Sequence, residues 1–431
     1  MKKGLLVLFL ISIFAVSSLF ANGLSLNSIG PRALGMGGAM VGLADDPTAI
    51  YWNPAGLAGQ NSSLYAFGTD IIPVATYKAT SVDYGYPPGY FTIDAKTKAQ
   101  GYPSPNLFAN YSMGNLAFGL GVFVPAGLGA EYNGDDLIPI SGGSLEWMSK
   151  IAAIDIAPTI AYKINDMFSL GVTGNIFYGM FDMKRPSTYT DSAGLHGVQY
   201  TESSTGTGFG VSGGLLCKLS DMIQFGVSAR TEIKVTMSGT AENILITYPP
   251  YSGPEESDFD RDVAWPLWAA FGVAVKPMEN LTITADAQYS QWAKSEKEFH
   301  TDFKDPVWKA VTAATGDDTF VLDWKDCTQI RLGLEYMASE KLALRAGYYY
   351  DPAPAPDETL TILFPSSTNN VVTAGFGFCA GKFDIDFGFE YLMGKERDIA
   401  KYPTVGAPEN MPGKHKLDIF AFSLAIGMGL M

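Results

Sequence analysis

The C-terminal stretch IFAFSLAIGMGLM, residues 419–431, alternates between bulky apolar residues and very small ones. Successive side chains of a β-strand point to opposite faces, so the pattern predicts a strand with one bulky apolar face and one face of small residues. A strand of a soluble sandwich would carry polar residues opposite its apolar face. The bulky face here therefore needs apolar surroundings outside the sheet. Its members are Phe420, Phe422, Leu424, Ile426, Met428 and Leu430.

The same alternation recurs in pairs of segments that are joined by short polar turns, for example from Phe376 through the turn AGK to Tyr391. Charged residues occupy the opposite parity, where they are stable only if that face meets water or partner charges. One face toward lipid and one toward a polar lumen is typical of a transmembrane β-barrel. The charged residues of the inner parity are Arg230, Asp286, Arg331, Glu335, Arg345, Asp384, Asp386 and Glu390.

Short turns within each pair alternate with long connections between pairs, as in bacterial outer-membrane barrels. Six pairs, a first strand from Ser63 to Thr76 and the last strand predict an all-β fold, an antiparallel transmembrane β-barrel of about 14 strands, an even count as these barrels require. A soluble sandwich or propeller gives no reason for this regular alternation. The long connections are expected at residues 76–104, 126–150, 180–205, 236–263, 294–326, 351–369 and 396–416.

The composition and the N-terminus indicate an exported protein. The chain has 431 residues and a formal net charge of -15, which argues against a nucleic-acid partner. Lys2 and Lys3 precede a short apolar run and small residues up to Ala21, which together predict a signal peptide over residues 1–21 and not a membrane anchor. Three widely spaced cysteines indicate neither a disulfide framework nor a metal site.

The stretch MGGAMVGLADDPTAIYWNPAGLAG, residues 36–59, lies between the signal peptide and the first strand. Asp45 or Asp46 can cap a helical turn that starts near Pro47, and Pro54 ends that turn at Asn53. A segment so rich in glycine is unstable as an isolated helix and needs surrounding structure to pack against. We therefore expect residues 22–62 to form a plug inside the lumen of a barrel that spans residues 63–431. The alternative is a solvated periplasmic tail.

Three motifs of the chain resemble the FadL/TodX family of outer-membrane transporters for long-chain fatty acids and other hydrophobic compounds. The segment from Gly30 to Gly59 is similar to the family's N-terminal hatch and includes its motif Asn53, Pro54 and Ala55. GLGVFVPAGLGAEY, residues 119–132, resembles the family's third strand, and GYYYDPAPAPDETL, residues 347–360, resembles its Pro-Asp-Glu loop. The resemblance implies a fourteen-stranded barrel with an N-terminal hatch in the bacterial outer membrane.

The resemblance also implies a route for a hydrophobic ligand. Extracellular loops would capture it, the lumen would receive it, and a gap at the kinked third strand would release it sideways into the outer leaflet by passive diffusion. On this chain the kink would involve Pro125, Gly127 and Gly129, which weaken strand pairing. The alternative is that Pro125 merely ends the strand.

The sequence offers two sets of candidate ligand contacts. Arg230, Arg331 and Arg345 have the inner parity and suit a fatty-acid carboxylate, although structural pairing with Asp286, Glu335 or Glu390 explains them equally well. Aromatic residues of the long connections suit an extracellular capture groove, or an interfacial belt. These aromatic residues are Trp147, Phe259, Trp308, Phe320 and Trp324.

No catalytic signature, cofactor motif or metal-ligand spacing is present in the sequence, so we expect neither an enzyme nor a cofactor. The expected partners are hydrophobic small molecules and outer-membrane lipids, and the expected state is a monomer. Two other functions stay open: a secretion adaptor, since PorV-like barrels carry a similar N-terminal motif, and a general porin. The Pro-Asp-Glu loop favours transport over the adaptor, and the expected plug disfavours a porin.

Overall fold

A computed structural model describes residues 23–402 and 409–430 of the chain. The expected signal peptide, residues 1–21, lies outside the described residues. Fourteen antiparallel strands close into a barrel, since the first strand pairs with the last from Ser63 opposite Gly429 to Lys78 opposite Lys414. The predicted fold class and strand number are therefore confirmed. The barrel strands are β1 (Ser63–Thr80), β3 (Tyr102–Met113), β4 (Leu116–Tyr132), β5 (Trp147–Lys163), β6 (Phe168–Asp191), β7 (Gly194–Ser220), β8 (Ile223–Arg230), β11 (Trp268–Met278), β12 (Leu281–Ser290), β15 (Cys327–Ser339), β16 (Leu342–Asp351), β17 (Asn369–Ala380), β18 (Phe383–Gly394) and β20 (Gly413–Gly429).

The remaining elements belong to the long connections and to the region before β1. Six further strands extend the sheet beyond one end of the barrel: β2 (Thr92–Lys96), β9 (Ile233–Asn243), β10 (Glu256–Trp265), β13 (Glu298–Phe303), β14 (Thr319–Val321) and β19 (Arg397–Ile399). The helices are α1 (Pro31–Gly35), α2 (Ala49–Trp52), α3 (Ile138–Ser141), α4 (Trp292–Ser295) and α5 (Pro306–Thr315). Short 3-10 turns cover Pro54–Leu57, Gly134–Leu137, Ile244–Thr247 and Asp357–Thr359. Among the described residues, no helix is long and apolar enough to cross a membrane.

The predicted alternation decides which side chains face outward. In β20, Leu424 and Ile426 are 56% and 54% exposed, whereas Ser423 and Ala425 between them are 2% and 1% exposed. Outward-facing bulky residues of this kind recur on the other barrel strands and form a contiguous apolar surface. Such a surface is unfavourable in water and stable in lipid.

Several connections that the sequence analysis treats as loops contain strands. β6 and β7 continue through residues 180–205 as one long hairpin, from Phe168 opposite Cys217 to Asp191 opposite Gly194. β9 and β10 likewise occupy much of residues 236–263. The outward positions of these extensions are polar: Asp182 faces Ser203, and Thr236 donates to Asp262. The sequence pattern predicts these long connections but not the strands within them, because outward side chains above the membrane meet water and the strands there lose the apolar alternation.

Candidate functional site

The N-terminal segment, residues 23–62, packs against the inward-facing surface of the barrel. Its glycines let backbone approach backbone. A Cβ atom on Gly42 would lie 2.5 Å from the carbonyl carbon of Gly272 in β11, and one on Gly37 would lie 2.8 Å from the carbonyl oxygen of Leu332 in β15. Gly37 also has a φ of 64°, which favours glycine. The glycine-rich composition therefore permits a close fit between the N-terminal segment and the wall.

The motif residue Asn53 fixes the middle of the N-terminal segment. It is fully buried, and its side-chain amide donates to the carbonyl oxygens of Val41, at 3.0 Å, and Leu215 in β7, at 3.1 Å. Its Oδ1 accepts from the backbone N–H of Ala55 at 3.3 Å and caps the 3-10 turn that starts at Pro54. Asn53 thus joins two parts of the N-terminal segment to the barrel wall.

The two aspartates of the motif region have different roles. Asp46 accepts from the backbone N–H of Thr48 at 2.8 Å and stabilises the turn before α2. Asp45 pairs with Arg32 at 2.5 Å. Arg32 also donates two hydrogen bonds to Glu335 of β15, at 2.9 and 2.8 Å. Arg32 therefore links the N-terminal segment to the barrel at the end where the short turns lie.

The three candidate lumen arginines are all engaged. Arg345 pairs with Glu335 at 2.7 Å and with Asp386 at 2.5 Å, so one of the predicted structural pairs is present. Arg331 donates to the carbonyl oxygen of Gly37 at 2.9 Å. Arg230 donates to the carbonyl oxygen of Tyr51 at 3.2 Å. All three guanidinium groups thus bind either the N-terminal segment or neighbouring wall residues.

The third barrel strand, β4, is irregular at Pro125. Its register with β5 shifts between Phe123, opposite Asp155, and Ala126, opposite Ala153, so β4 holds one extra residue. The strand continues to Tyr132, so the alternative that Pro125 ends it is wrong. The extra residue changes which positions of β4 face inward. Before the shift the odd-numbered Phe123 is buried, and after it the even-numbered Ala126, Ala130 and Tyr132 are buried.

Beside this irregularity, part of the backbone hydrogen-bond ladder between β3 and β4 is missing. β3 pairs with β4 only from Met113 opposite Leu116 up to Leu107 opposite Val122, although both strands extend further. Pro103 and Pro105 of β3 cannot donate ladder hydrogen bonds, which weakens pairing there. Sequence reasoning overlooked these two prolines, which were the available signal for the gap.

Three groups occupy the gap between β3 and β4. The side-chain oxygen of Asn106 in β3 accepts from the backbone N–H of Val124 in β4 at 2.9 Å. The N-terminal segment pairs with β4 there: Leu26 donates to the carbonyl oxygen of Pro125 at 2.9 Å, and Gly127 donates to that of Leu24 at 3.0 Å. The phenol ring of Tyr102 lies against Gly129, where a Cβ atom would come within 2.5 Å of the ring. Gly127 and Gly129 thus leave room for a second backbone and for an aromatic ring.

An internal cavity of about 100 Å³ lies between the N-terminal segment and the barrel wall, beside the gap. Residues 23 and 25–28 form one side, and Gly127 and Leu128 of β4 form part of another. Apolar side chains dominate the remainder, with Asp351 and Glu390 as the charged members. The cavity is the place in the described residues where the N-terminal segment, the irregular strand and the lumen meet.

The five aromatic residues expected in a capture groove are all buried. Phe259 is 1% exposed and its ring packs at a tilt against that of Phe303, and Phe320 packs edge-on against Phe364. An open groove built from these five side chains is therefore not present. Trp308 lines a separate cavity of about 620 Å³ among the extended strands and α5, together with tyrosines such as Tyr200 and Tyr248. Trp324 lines the internal cavity, and Trp147 donates to Ser141 at 2.8 Å.

Comparisons with known proteins agree with this architecture. Residues 12–427 match the model of a family described as "Outer membrane protein transport protein (OMPP1/FadL/TodX)". The chain is 22% identical over 423 residues to the "Long-chain fatty acid transport protein" of Escherichia coli K12, and the alignment covers 88% of this chain and 90% of the relative.

Two solved structures show the same fold. A FadL homologue of Pseudomonas aeruginosa superposes with a TM-score of 0.78 at 16% identity, and the match covers 95% of this chain and 100% of that one. The toluene transporter TodX of P. putida superposes with a TM-score of 0.71 at 17% identity over 94% of this chain and 99% of that one.

Proposed function

The chain belongs to the outer membrane transport protein family OMPP1/FadL/TodX, and on that premise we propose that it admits hydrophobic compounds, long-chain fatty acids or aromatic hydrocarbons, across the outer membrane. Relatives and structural neighbours that are named for fatty acids or toluene support these ligand classes. Transport would be passive and would need no cofactor. The N-terminal segment would act as the plug that prevents a large aqueous pore.

The observation that carries this proposal is the meeting of three features at one place. The ladder between β3 and β4 is interrupted, the N-terminal segment pairs with the irregular part of β4, and the internal cavity adjoins both. A ligand in the cavity would have the gap as its shortest way into lipid. Lateral release there would involve local movement of Tyr102, of the Asn106 side chain and of residues 24–26, without removal of the whole N-terminal segment.

Capture would start at the extended strands, where the cavity of about 620 Å³ lies. Tyr200, Tyr248 and Trp308 give it an aromatic lining, and aromatic surfaces bind apolar ligands without strict directional demands. A cavity of that size fits a drug-sized hydrophobic ligand. We place the first contact with ligand here, and the internal cavity next.

Uptake of labelled oleate and labelled toluene in a host that lacks its own transporter tests the proposed function. Expression of the chain should raise uptake of at least one compound above the empty-vector level. No rise for either compound, together with co-purification of a secreted protein, would favour the adaptor. A large steady conductance in planar bilayers would favour the porin.

Deletion of Pro125 tests lateral release. The deletion removes the extra residue, restores the register of β4 with β5 and keeps Ala126 and its successors on their present faces. Uptake should fall to the empty-vector level while the barrel stays folded, as judged by heat-modifiable mobility. Deletion of Ala338 is the matched control, because it removes a register shift between Met337 and Ser339 at the short-turn end of β15. Unchanged uptake after deletion of Pro125 would refute release through this gap.

A further inference from the structure

The internal cavity has a charge character that distinguishes between the ligand classes left open above. We infer that it selects small uncharged ligands, with a single aromatic ring as the best fit, and discriminates against carboxylates. This inference rests on the proposed function, and it narrows the substrate class at the internal cavity.

The lining of the internal cavity is acidic. Among the described residues that line it there is no lysine, arginine or histidine, while Asp351 and Glu390 both contribute. Gln329 and Asn369 donate to Asp351 at 2.5 and 3.1 Å, and Ser28 lies 3.4 Å from Glu390. These two carboxyl groups supply no positive charge in either protonation state. A carboxylate ligand would thus meet acidic groups and no cation at the wall.

The arginine that interacts with these two acidic residues has other hydrogen-bond partners. Arg331 is 1% exposed and interacts electrostatically with both acidic residues. Its donors, however, bind Gln329 at 2.7 and 3.1 Å and the carbonyl oxygen of Gly37 at 2.9 Å, and its guanidinium lies 4.2 Å over the ring of Tyr349. It does not line the cavity. An anionic ligand would therefore be buried without a cationic partner, and hydroxyl donors alone do not offset the several kcal/mol that burial of a charge costs.

The size of the cavity points to the same class of ligand. Its volume of about 100 Å³ is of the order of the ~150 Å³ apolar cavities that accept benzene. Leu26, Leu34 and Phe364 are among its apolar lining residues. A long acyl chain would fit only if the N-terminal segment moved, whereas one aromatic ring demands a much smaller displacement.

The lining of the internal cavity can also form a hydrogen bond with a neutral hydroxyl group of a ligand. The side-chain hydroxyls of Ser366 and Ser367 have no hydrogen-bond partner within the described part of the chain, and both residues line the cavity. Hydroxyl hydrogens rotate freely to suit a partner. An aromatic alcohol can therefore gain a hydrogen bond here, and it differs from the matching carboxylate mainly in charge.

Calorimetric titration of the protein in lipid nanodiscs with toluene, benzyl alcohol and benzoate tests the inference at neutral pH. Toluene and benzyl alcohol should bind, and benzoate should bind at least about tenfold more weakly than benzyl alcohol, because like charges oppose its burial. Glu390→Gln removes one acidic group with little change of shape. It should reduce the benzyl alcohol to benzoate affinity ratio at least about threefold.

Asp384→Asn is the matched control, since it makes the same kind of charge change on β18 outside the internal cavity, and it should leave the ratio unchanged. Benzoate affinity equal to that of benzyl alcohol would overturn the inference, while uptake of toluene would still support the proposed function. An unchanged ratio in Glu390→Gln would also overturn it. Binding of none of the three compounds would refute both the inference and a ligand site in this cavity.

Discussion

Replacement of Arg32 by glutamine should loosen the N-terminal segment without unfolding the barrel. Among the described residues, Arg32 joins this segment to the barrel wall by an ion pair near the short turns, with two hydrogen bonds to Glu335 at 2.9 and 2.8 Å. The side chains of Arg32 and Glu335 are only 15% and 9% exposed, so solvent screens their interaction little. The pair with Asp45, which is 40% exposed, adds less.

The free-energy cost of the substitution depends on the ion pair that Glu335 retains in the variant. Loss of one partner of a buried ion pair costs about 3–5 kcal/mol when the other charge is left alone. Glu335 keeps its 2.7 Å pair with Arg345, so the lower range for charged hydrogen bonds applies, about 2–3 kcal/mol. Since 1.4 kcal/mol is a factor of ten, the open population of the N-terminal segment should rise about 30- to 150-fold.

Hydrogen exchange measures this population. The amide of Val41 donates to Asp286 of β12 at 2.9 Å, so it reports docking of the N-terminal segment on the wall. Its protection should fall by the same 30- to 150-fold factor, which is about 2–3 kcal/mol. Amides of β20 should keep their protection, because the barrel ladder is unchanged.

Arg397→Gln is the matched control. Arg397 forms its ion pair with Asp357, at 2.5 Å, in the long connections, and within the described part of the chain its hydrogen bonds go to Asp357 and Ser366 and not to the N-terminal segment. Its loss should leave the amide of Val41 unaffected. The reasoning is refuted if Arg32→Gln leaves the protection of Val41 unchanged, or if it lowers protection equally in β20.

Three further changes have defined outcomes. Asn53→Ala removes the hydrogen bonds of a fully buried side chain to the carbonyl oxygens of Val41 and Leu215. It should destabilise docking of the N-terminal segment by about 2–3 kcal/mol, seen as faster proteolysis within residues 23–62; an unaltered rate would contradict it. Gly42→Ala places a Cβ atom 2.5 Å from the backbone of Gly272, so hydrogen exchange of the Val41 amide should accelerate. Unchanged protection of this amide would show that the barrel strand shifts to accommodate the methyl group. Outside the membrane, hydrogen bonds from Lys304 and Lys309 lower the pKa of Asp302 to about 2. Because this pKa lies below the value of about 4 in the unfolded chain, the contribution of these lysine contacts to folding stability persists near pH 4 and is lost as the pH falls toward 2. A midpoint near 4 in an NMR titration of the Asp302 carboxyl group would disprove this.

The sequence predicts the barrel well where lipid surrounds it. Alternation with bulky residues at Leu424 and Ile426 is a strong signal because lipid demands an apolar exterior. The signal ends above the membrane. In the extended hairpin of β6 and β7, outward Asp182 and Ser203 bond each other in water, so the strands there resemble polar loops in sequence.

The environment of the inward arginines was less predictable. Parity alone places Arg331 inside the barrel, but its partner Gly37 is 294 residues away in sequence. The spacing of residues along the chain does not predict this contact, because it forms only when the N-terminal segment packs against the barrel wall. Aromatic residues present the same difficulty: Phe259 and Phe320 were expected to be accessible, and tertiary packing buries them.

The single extra residue of β4 has an evolutionary consequence. The change of inward-facing positions depends on how many residues lie between Phe123 and Ala126 and not on which side chains they carry, so a substitution of Pro125 retains it. Insertion or loss of one codon creates or erases it in a single step. Related genes should therefore differ in this part of the wall through length changes of one residue, and an alignment that scores only substitutions will overlook the difference.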